Sequence, residues 1–435
     1  MTSLSYSDIA SNSASHTTSR KKLLVGYFSW AAVSLFFFYQ YILRVAPGVM
    51  VNELRTDFHI NAEQFSYFGA LYLYAYSLLQ MPVGMVIDRI GVKRTVLFSI
   101  AICLTGTFLM ATATNPYFAY FSRFLLGAGS ACAFMSSLKI VADYLPAGKR
   151  GFLMGATLTL GIIGALVAGK PLSIGMDILG WRNALLATGG IGVIVFLLVL
   201  FMVPQCKLTA LIQKPNLEKK NLFLNIREII SNRPILIYAT LAVGLYTPLS
   251  VMADLWGVAY IMTKYNVCRT DASEISMMMY VGLCIGSLFL PWFSEKYNIL
   301  NQTLKVCSWG ILITFVAILT IPSLKIWQLS SLLLSLGIFC GAEMLCFTGV
   351  IIYAPQGKVG TTLGITNTVN MLGGAIAQQA IGFIIDRLLW SGSVGINGNR
   401  LYTDSDYTLA LSFLIVVIIL CCYVAQYLPK DTMHK

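Results

Sequence analysis

The sequence predicts an all-α membrane protein with twelve transmembrane helices in two six-helix pseudo-repeats. Three observations carry that expectation. Of 435 residues, 57% are hydrophobic and only 11% charged, where a soluble domain carries roughly 25% charged residues; mean hydropathy is +0.74. Apolar runs long enough to cross a ~30 Å hydrocarbon core recur along the whole chain. One long polar segment, 204–233, divides those runs six and six.

Taken in order, residues 1–22 are rich in Ser and Thr and lack an apolar core, so they read as a disordered cytoplasmic tail and not a signal peptide. Arg20, Lys21 and Lys22 then hold the N-terminus inside. An N-terminal bundle follows over 23–203, with spans expected at 23–46, 65–87, 94–113, 116–143, 151–174 and 182–203. The cytoplasmic linker 204–233 carries Lys207, Lys214, Lys219, Lys220, Arg227 and Arg233, and Asn221–Ile230 reads as a short amphipathic helix on the inner surface. A C-terminal bundle over 234–428 has spans at 234–261, 273–293, 303–322, 328–353, 360–387 and 408–427, before a short cytoplasmic tail at 429–435. Spans four, seven, ten and eleven are interrupted by polar or charged residues.

The net charge of +12 lies mostly in short loops, where it sets membrane orientation, so no nucleic-acid partner is expected. Expected inner loops carry Arg89, Lys93, Arg94, Lys149, Arg150, Lys296, Lys305 and Lys358, whereas the expected outer loop Thr112–Pro116 has no charge. Eight of the ten cysteines fall in or at the edges of apolar runs, where they act as small hydrophobes. Cysteine and histidine spacing suggests no metal, and no cofactor is implied. The absence of a G-x-x-x-x-G-K-[ST] motif leaves an ion gradient or the solute's own gradient as the energy source.

The loop after span two reads Gly84-Met-Val-Ile-Asp88-Arg89-Ile-Gly91-Val-Lys93-Arg94. Gly84 and Gly91 permit close approach and a tight turn; Asp88 is placed to pair with a neighbouring helix end or an arginine; Arg89, Lys93 and Arg94 anchor the turn inside. This run resembles, position for position, the loop between helices two and three of the major facilitator superfamily. The resemblance implies a gate whose acid and bases lock the cytoplasmic ends of two halves in the outward-facing state. A degenerate copy, Glu295-Lys296 after Pro291, keeps the acid–base order at the end of span eight, with Asn298 where Gly91 would be. Arg123-Phe-Leu-Leu-Gly127-Ala-Gly129 is similar to the family's R-x-x-x-G-x-G, and Gly180-Trp181-Arg182 opens span six as in many members. Leu255-Trp256-Gly257 and Asn367…Asn370…Gly373-Gly374…Gln378-Gln379 resemble a bacterial branch similar to the lysosomal dipeptide carriers.

A charge inside the bilayer costs about 2.5–3.5 kcal/mol on insertion scales, so each one asks for a reason. Span interiors hold Arg44, Arg123, Lys139, Lys170, Asp254 and Glu343; spans three, six, nine and twelve hold none. Arg44 stands about 33 Å beyond Lys22 along the helix, beside Tyr39-Gln40-Tyr41, in the place of a substrate-region arginine in the superfamily's organic-anion symporters. A guanidinium there holds a carboxylate through two hydrogen bonds. Arg123 reads equally as the substrate or proton-transfer residue that the resemblance implies or as a structural partner for a backbone carbonyl or an acid. Glu343, near the middle of span ten, is a candidate for proton coupling, against a fixed salt bridge to Arg44, Arg123 or Lys139. Asp254 is the second acid candidate. Lys139 and Lys170 sit near span ends and snorkel. Asn367 and Asn370 face either solute or a neighbouring helix.

These observations predict a secondary active transporter working by alternating access, coupled to H+, for a small anionic or zwitterionic solute such as an organic acid, amino acid or short peptide. Candidate solute-binding residues are Arg44, Tyr39, Gln40, Arg123, Asn367 and Asn370. The alternative solute is a polycarboxylate siderophore or a drug-like compound, moved in either direction. No nucleophile–base pair stands out, so an enzyme is not expected. A monomer in a bacterial inner membrane with both termini cytoplasmic is the expected state.

Overall fold

The computed structural model describes residues 6–205, 228–229, 231–322, 324–355, 358–395 and 400–429. Among these, eleven helices are long and apolar enough to cross a membrane. A further helix, Ala62–Ile90, has 29 residues and stands between the first and second of them. The twelve spans fall where the apolar runs place them. Span one crosses as Leu23–Val49; the residues before it, expected as a disordered tail, continue its helix back to Tyr6. Most of the linker, including most of the amphipathic helix expected at Asn221–Ile230, and residues 430–435 lie outside the described residues.

Local sequence sets the ends. Asn61 caps span two through a reciprocal bond with Gln64, and Thr403 does the same for span twelve with Asp406. Asn115 accepts from the Tyr117 amide as Pro116 opens span four. Gly91 joins spans two and three at φ 84, in the region only glycine enters freely. In the second half Asn298 takes that role at φ 54, since asparagine tolerates the left-handed conformation. The degenerate copy of the loop therefore keeps a left-handed turn residue after losing its glycine.

Two of the interruptions fall on corresponding helices of the two halves. Span four breaks between Ser130 and Ala133, and span ten between Cys340 and Glu343. Span seven widens into a π-helical turn over Met252–Trp256, four residues after Pro248, and span eleven into another over Ile384–Leu389. Discontinuous helices in corresponding positions of two halves mark solute sites in transporters, and π-turns cluster at functional positions. Packing repeats the duplication. A Cβ on Gly127 of span four would lie 2.2 Å from the Tyr72 carbonyl oxygen of span two, and one on Gly337 of span ten 2.0 Å from the Met279 carbonyl oxygen of span eight. Each contact needs a residue without a side chain.

The halves meet mainly along spans two and eleven. Tyr74 donates to Gln379 Oε1 at 2.7 Å, and Asn367 Nδ2 donates to Gln80 Oε1 at 2.6 Å. Among the described residues, five ion pairs also join the halves: Arg44–Asp254, Arg269–Glu53, Arg269–Asp177, Lys170–Glu274 and Arg387–Glu63. Arg44–Asp254 lies just inside the face expected outside, and the other four lie on it. None among the described residues lies on the face bearing Gly84–Arg94 and Glu295–Lys296. Among the described residues, the two halves are ion-paired at one face and not at the other.

Candidate functional site

The site begins at Arg44, whose side chain is 7% exposed. Its Nη2 and Nε donate to Asp254 Oδ2 at 2.6 and 3.1 Å, a two-pronged grip of the kind guanidinium offers any carboxylate. Nη2 also donates to the Tyr246 hydroxyl. The rings of Tyr41 and Tyr246 stand 5.3 and 5.5 Å from the guanidinium carbon, within cation–π range. Asp254, 3% exposed, sits in the π-helical turn of span seven and accepts a third bond, at Oδ1, from the Tyr280 hydroxyl of span eight. Arg44 and Asp254 come from opposite halves.

Arg123 shares the small cavity that Arg44 and Asp254 line with Tyr72, Leu255 and Gln378. It donates to the carbonyls of Leu43 at 2.8 Å and Phe68 at 3.4 Å and lies 4.8 Å from the Tyr72 ring centre. Among the described residues it has no carboxylate partner. The backbone-pairing reading of Arg123 therefore describes its bonds, while its place beside the cavity leaves an excess positive charge there.

Glu343 is the first helical residue after the break in span ten and is buried. The salt bridges weighed for it are absent: Arg44 is taken by Asp254, Arg123 by carbonyls, and Lys139 pairs with Asp143 at 3.6 Å. Its Oε1 accepts from Asn370 Nδ2 at 2.5 Å. The Asn370 carbonyl oxygen, the Gln80 amide nitrogen and the Gln378 amide oxygen are buried without a partner. An orphaned buried polar atom costs about 1–3 kcal/mol, so each of these atoms is suited to receive a further hydrogen-bonding group.

The other expected residues separate. Gln40 is held by the Tyr72 hydroxyl at 2.6 Å, beside the cavity. Tyr39 turns away: its hydroxyl meets Thr107 of span three at 3.3 Å and its ring packs on Gly192 of span six. Five residues from Arg44 rotate Tyr39 about 140° around the helix, while Tyr41, at three, stays within about 60°. Asn367 bonds across the halves to Gln80. Lys170 is half exposed and pairs with Glu274 at 2.5 Å. In the loop motif, Arg89 and Arg94 are exposed, Lys93 is half-buried, and a Cβ at Gly84 would meet nothing within 4 Å. The side chain of Asp88 lies outside the described residues. Glu295 and Lys296 form no ion pair among the described residues; Lys296 lies over Trp292 at 5.1 Å. Sequence reasoning missed Tyr246 and Tyr280. Tyr246 stands eight residues before Asp254, near one helix face, which was the available signal; nothing along the chain links Tyr280 to Arg44.

A clasp at the closed face was also unforeseen. The Tyr402 hydroxyl donates to Asp386 Oδ1 and accepts from the Ala62 amide at 3.0 Å. Arg55 lies 4.6 Å from the Tyr402 ring centre and donates to the Arg400 carbonyl at 2.7 Å. Burial and the bond to Asp386 push the Tyr402 phenol above its ordinary range, so it remains a donor.

Comparison with known proteins fits this arrangement. The family model described as Major Facilitator Superfamily matches residues 23–378. The probable galactarate/D-glucarate transporter GudP of Escherichia coli strain K12 is 21% identical over 89% of this chain and 93% of its own. The uncharacterized transporter YybO of Bacillus subtilis is 32% identical over a shorter stretch, 35% of each chain. A crystal structure of a bacterial homolog to the human lysosomal transporter Spinster, inward-facing and unoccupied, superposes with a TM-score of 0.75 at 15% identity, covering 94% of this chain and 98% of its own.

Proposed function

The chain belongs to the Major Facilitator Superfamily, and from that premise we propose that it carries a small organic anion across a membrane by alternating access, coupled to H+. The observation that carries the solute class is the convergence of Arg44 and Arg123 on one cavity in which Asp254 is the acid present. One acid against two guanidiniums leaves room for a carboxylate. Full-length likeness to a probable galactarate/D-glucarate transporter and to a D-galactonate transporter, 22% identical over 79% of this chain, supports a hydroxylated carboxylate. The Gln378 amide oxygen, unpartnered and on a residue that lines this cavity, supplies an acceptor for a hydroxyl.

Glu343 is the proton carrier in this reading: it is buried, has no cation partner among the described residues, and stands at a helix break. The protein works as a monomer in a bacterial inner membrane with both termini cytoplasmic, so the latched face is the outer one and the Gly84–Arg94 loop faces the cytoplasm. Purified protein in liposomes tests the solute class. Uptake of D-glucarate or D-galactonate that is accelerated by an inward proton gradient and lost in Arg44→Ala and Arg123→Ala is the expected result. Uptake of amino acids or dipeptides alone, or of lipophilic cations, would overturn it.

A further inference from the structure

Asp254 holds Arg44 as a bound carboxylate would. Both of its oxygens are engaged, Oδ2 by Nη2 and Nε of Arg44 and Oδ1 by the Tyr280 hydroxyl. The guanidinium is flanked by two phenol rings, and its Nη2 also donates to the Tyr246 hydroxyl. This is a finished anion site filled by the protein's own side chain. The two residues belong to opposite halves, and their backbones touch where the face closes: a Cβ at Gly48 would lie 2.7 Å from the Asp254 carbonyl oxygen. Any rocking that opens this face must pull Asp254 off Arg44. Separating a buried pair with nothing in exchange is strongly unfavourable; water solvates Asp254 at the open face, and an incoming carboxylate takes its place on Arg44.

We infer that Asp254 is an internal competitor that occupies the solute's carboxylate position on Arg44 and expels the solute when the face closes. The inference rests on the organic-anion reading above. In the opened state the solute carboxylate is bound by Arg44; on closing, Asp254 returns with the π-helical turn of span seven, re-forms its bonds to Arg44 and Tyr280, and the solute leaves toward the other face. The same residue thus lowers apparent affinity and raises the rate of release. A population that must first break an internal contact binds its ligand more weakly by the fraction held in that contact.

The sign of one substitution separates this from ordinary binding. Asp254→Asn keeps the shape and removes the competing charge. Binding of D-galactonate and D-glucarate to the full-length protein in detergent, measured by calorimetry, is expected to tighten about ten-fold, while transport in liposomes falls. Tyr280→Phe, which frees one Asp254 oxygen and is the milder change, is expected to shift both in the same direction by a smaller factor. Unchanged or weaker binding by both variants, with wild-type binding present, would overturn the inference and leave the organic-anion reading standing. Failure of wild type and both variants to bind any sugar acid would overturn the organic-anion reading and the inference with it.

Discussion

At the scale of single residues, the account turns on which charges in the membrane are neutralised and by what. Arg44 is satisfied by Asp254 across the halves, Arg123 by carbonyls, and Glu343 by one amide. A carboxyl with no cation beside it is free to gain and lose a proton without breaking an ion pair. Glu343→Gln is therefore expected to abolish the acceleration of uptake by a proton gradient while leaving solute exchange; retention of the full gradient effect would remove Glu343 from the coupling. The sequence was enough to select these residues, because a charge in an apolar run is conspicuous. Pairing was not legible, because Arg44 and Asp254 stand 210 positions apart and meet only once two helical bundles are docked. Tyr39 shows the opposite limit: its neighbours along the chain suggested a lining role, and helical rotation points it at Thr107.

At the scale of elements, breaks and close contacts position the site. The kinks at Ser130–Ala133 and Cys340–Glu343 and the π-helical turn at Met252–Trp256 fall where polar residues interrupt the apolar runs, so their location was readable while their geometry was not. Gly127 has no room for a side chain against Tyr72. Gly127→Ala is expected to destabilise the protein by about 1–3 kcal/mol, seen as a lower thermal midpoint in detergent; an unchanged midpoint would mean that spans two and four are not packed this closely. The left-handed Asn298 at φ 54 yields a prediction of opposite sign. Asn298→Gly should be tolerated or slightly stabilising, and Asn298→Val destabilising by about 1 kcal/mol or more, in the same thermal assay.

At the scale of the whole molecule, the latched face is held by ion pairs and by the Tyr402 clasp, none of which the family motif foretold. The motif anticipated a lock at the opposite face, in the Gly84–Arg94 loop, whose acid Asp88 has its side chain outside the described residues. Arg269 serves both Glu53 and Asp177 and is the node of the latch. Arg269→Ala is expected to shift the protein toward opening at that face, read as a longer distance between spin labels placed at the exposed positions Ile178 and Asp271; an unchanged distance would mean that the remaining ion pairs, the clasp and helix packing hold the face shut without Arg269.

The central claim, that Arg44 binds the carboxylate of a transported organic anion, is tested most directly by uptake of labelled D-glucarate and D-galactonate into liposomes by wild type and Arg44→Ala. Saturable, proton-stimulated uptake of at least one by the wild type and its loss in a stably folded Arg44→Ala is the result predicted. Uptake that survives the loss of Arg44, or a wild type that moves neither anion, would contradict it.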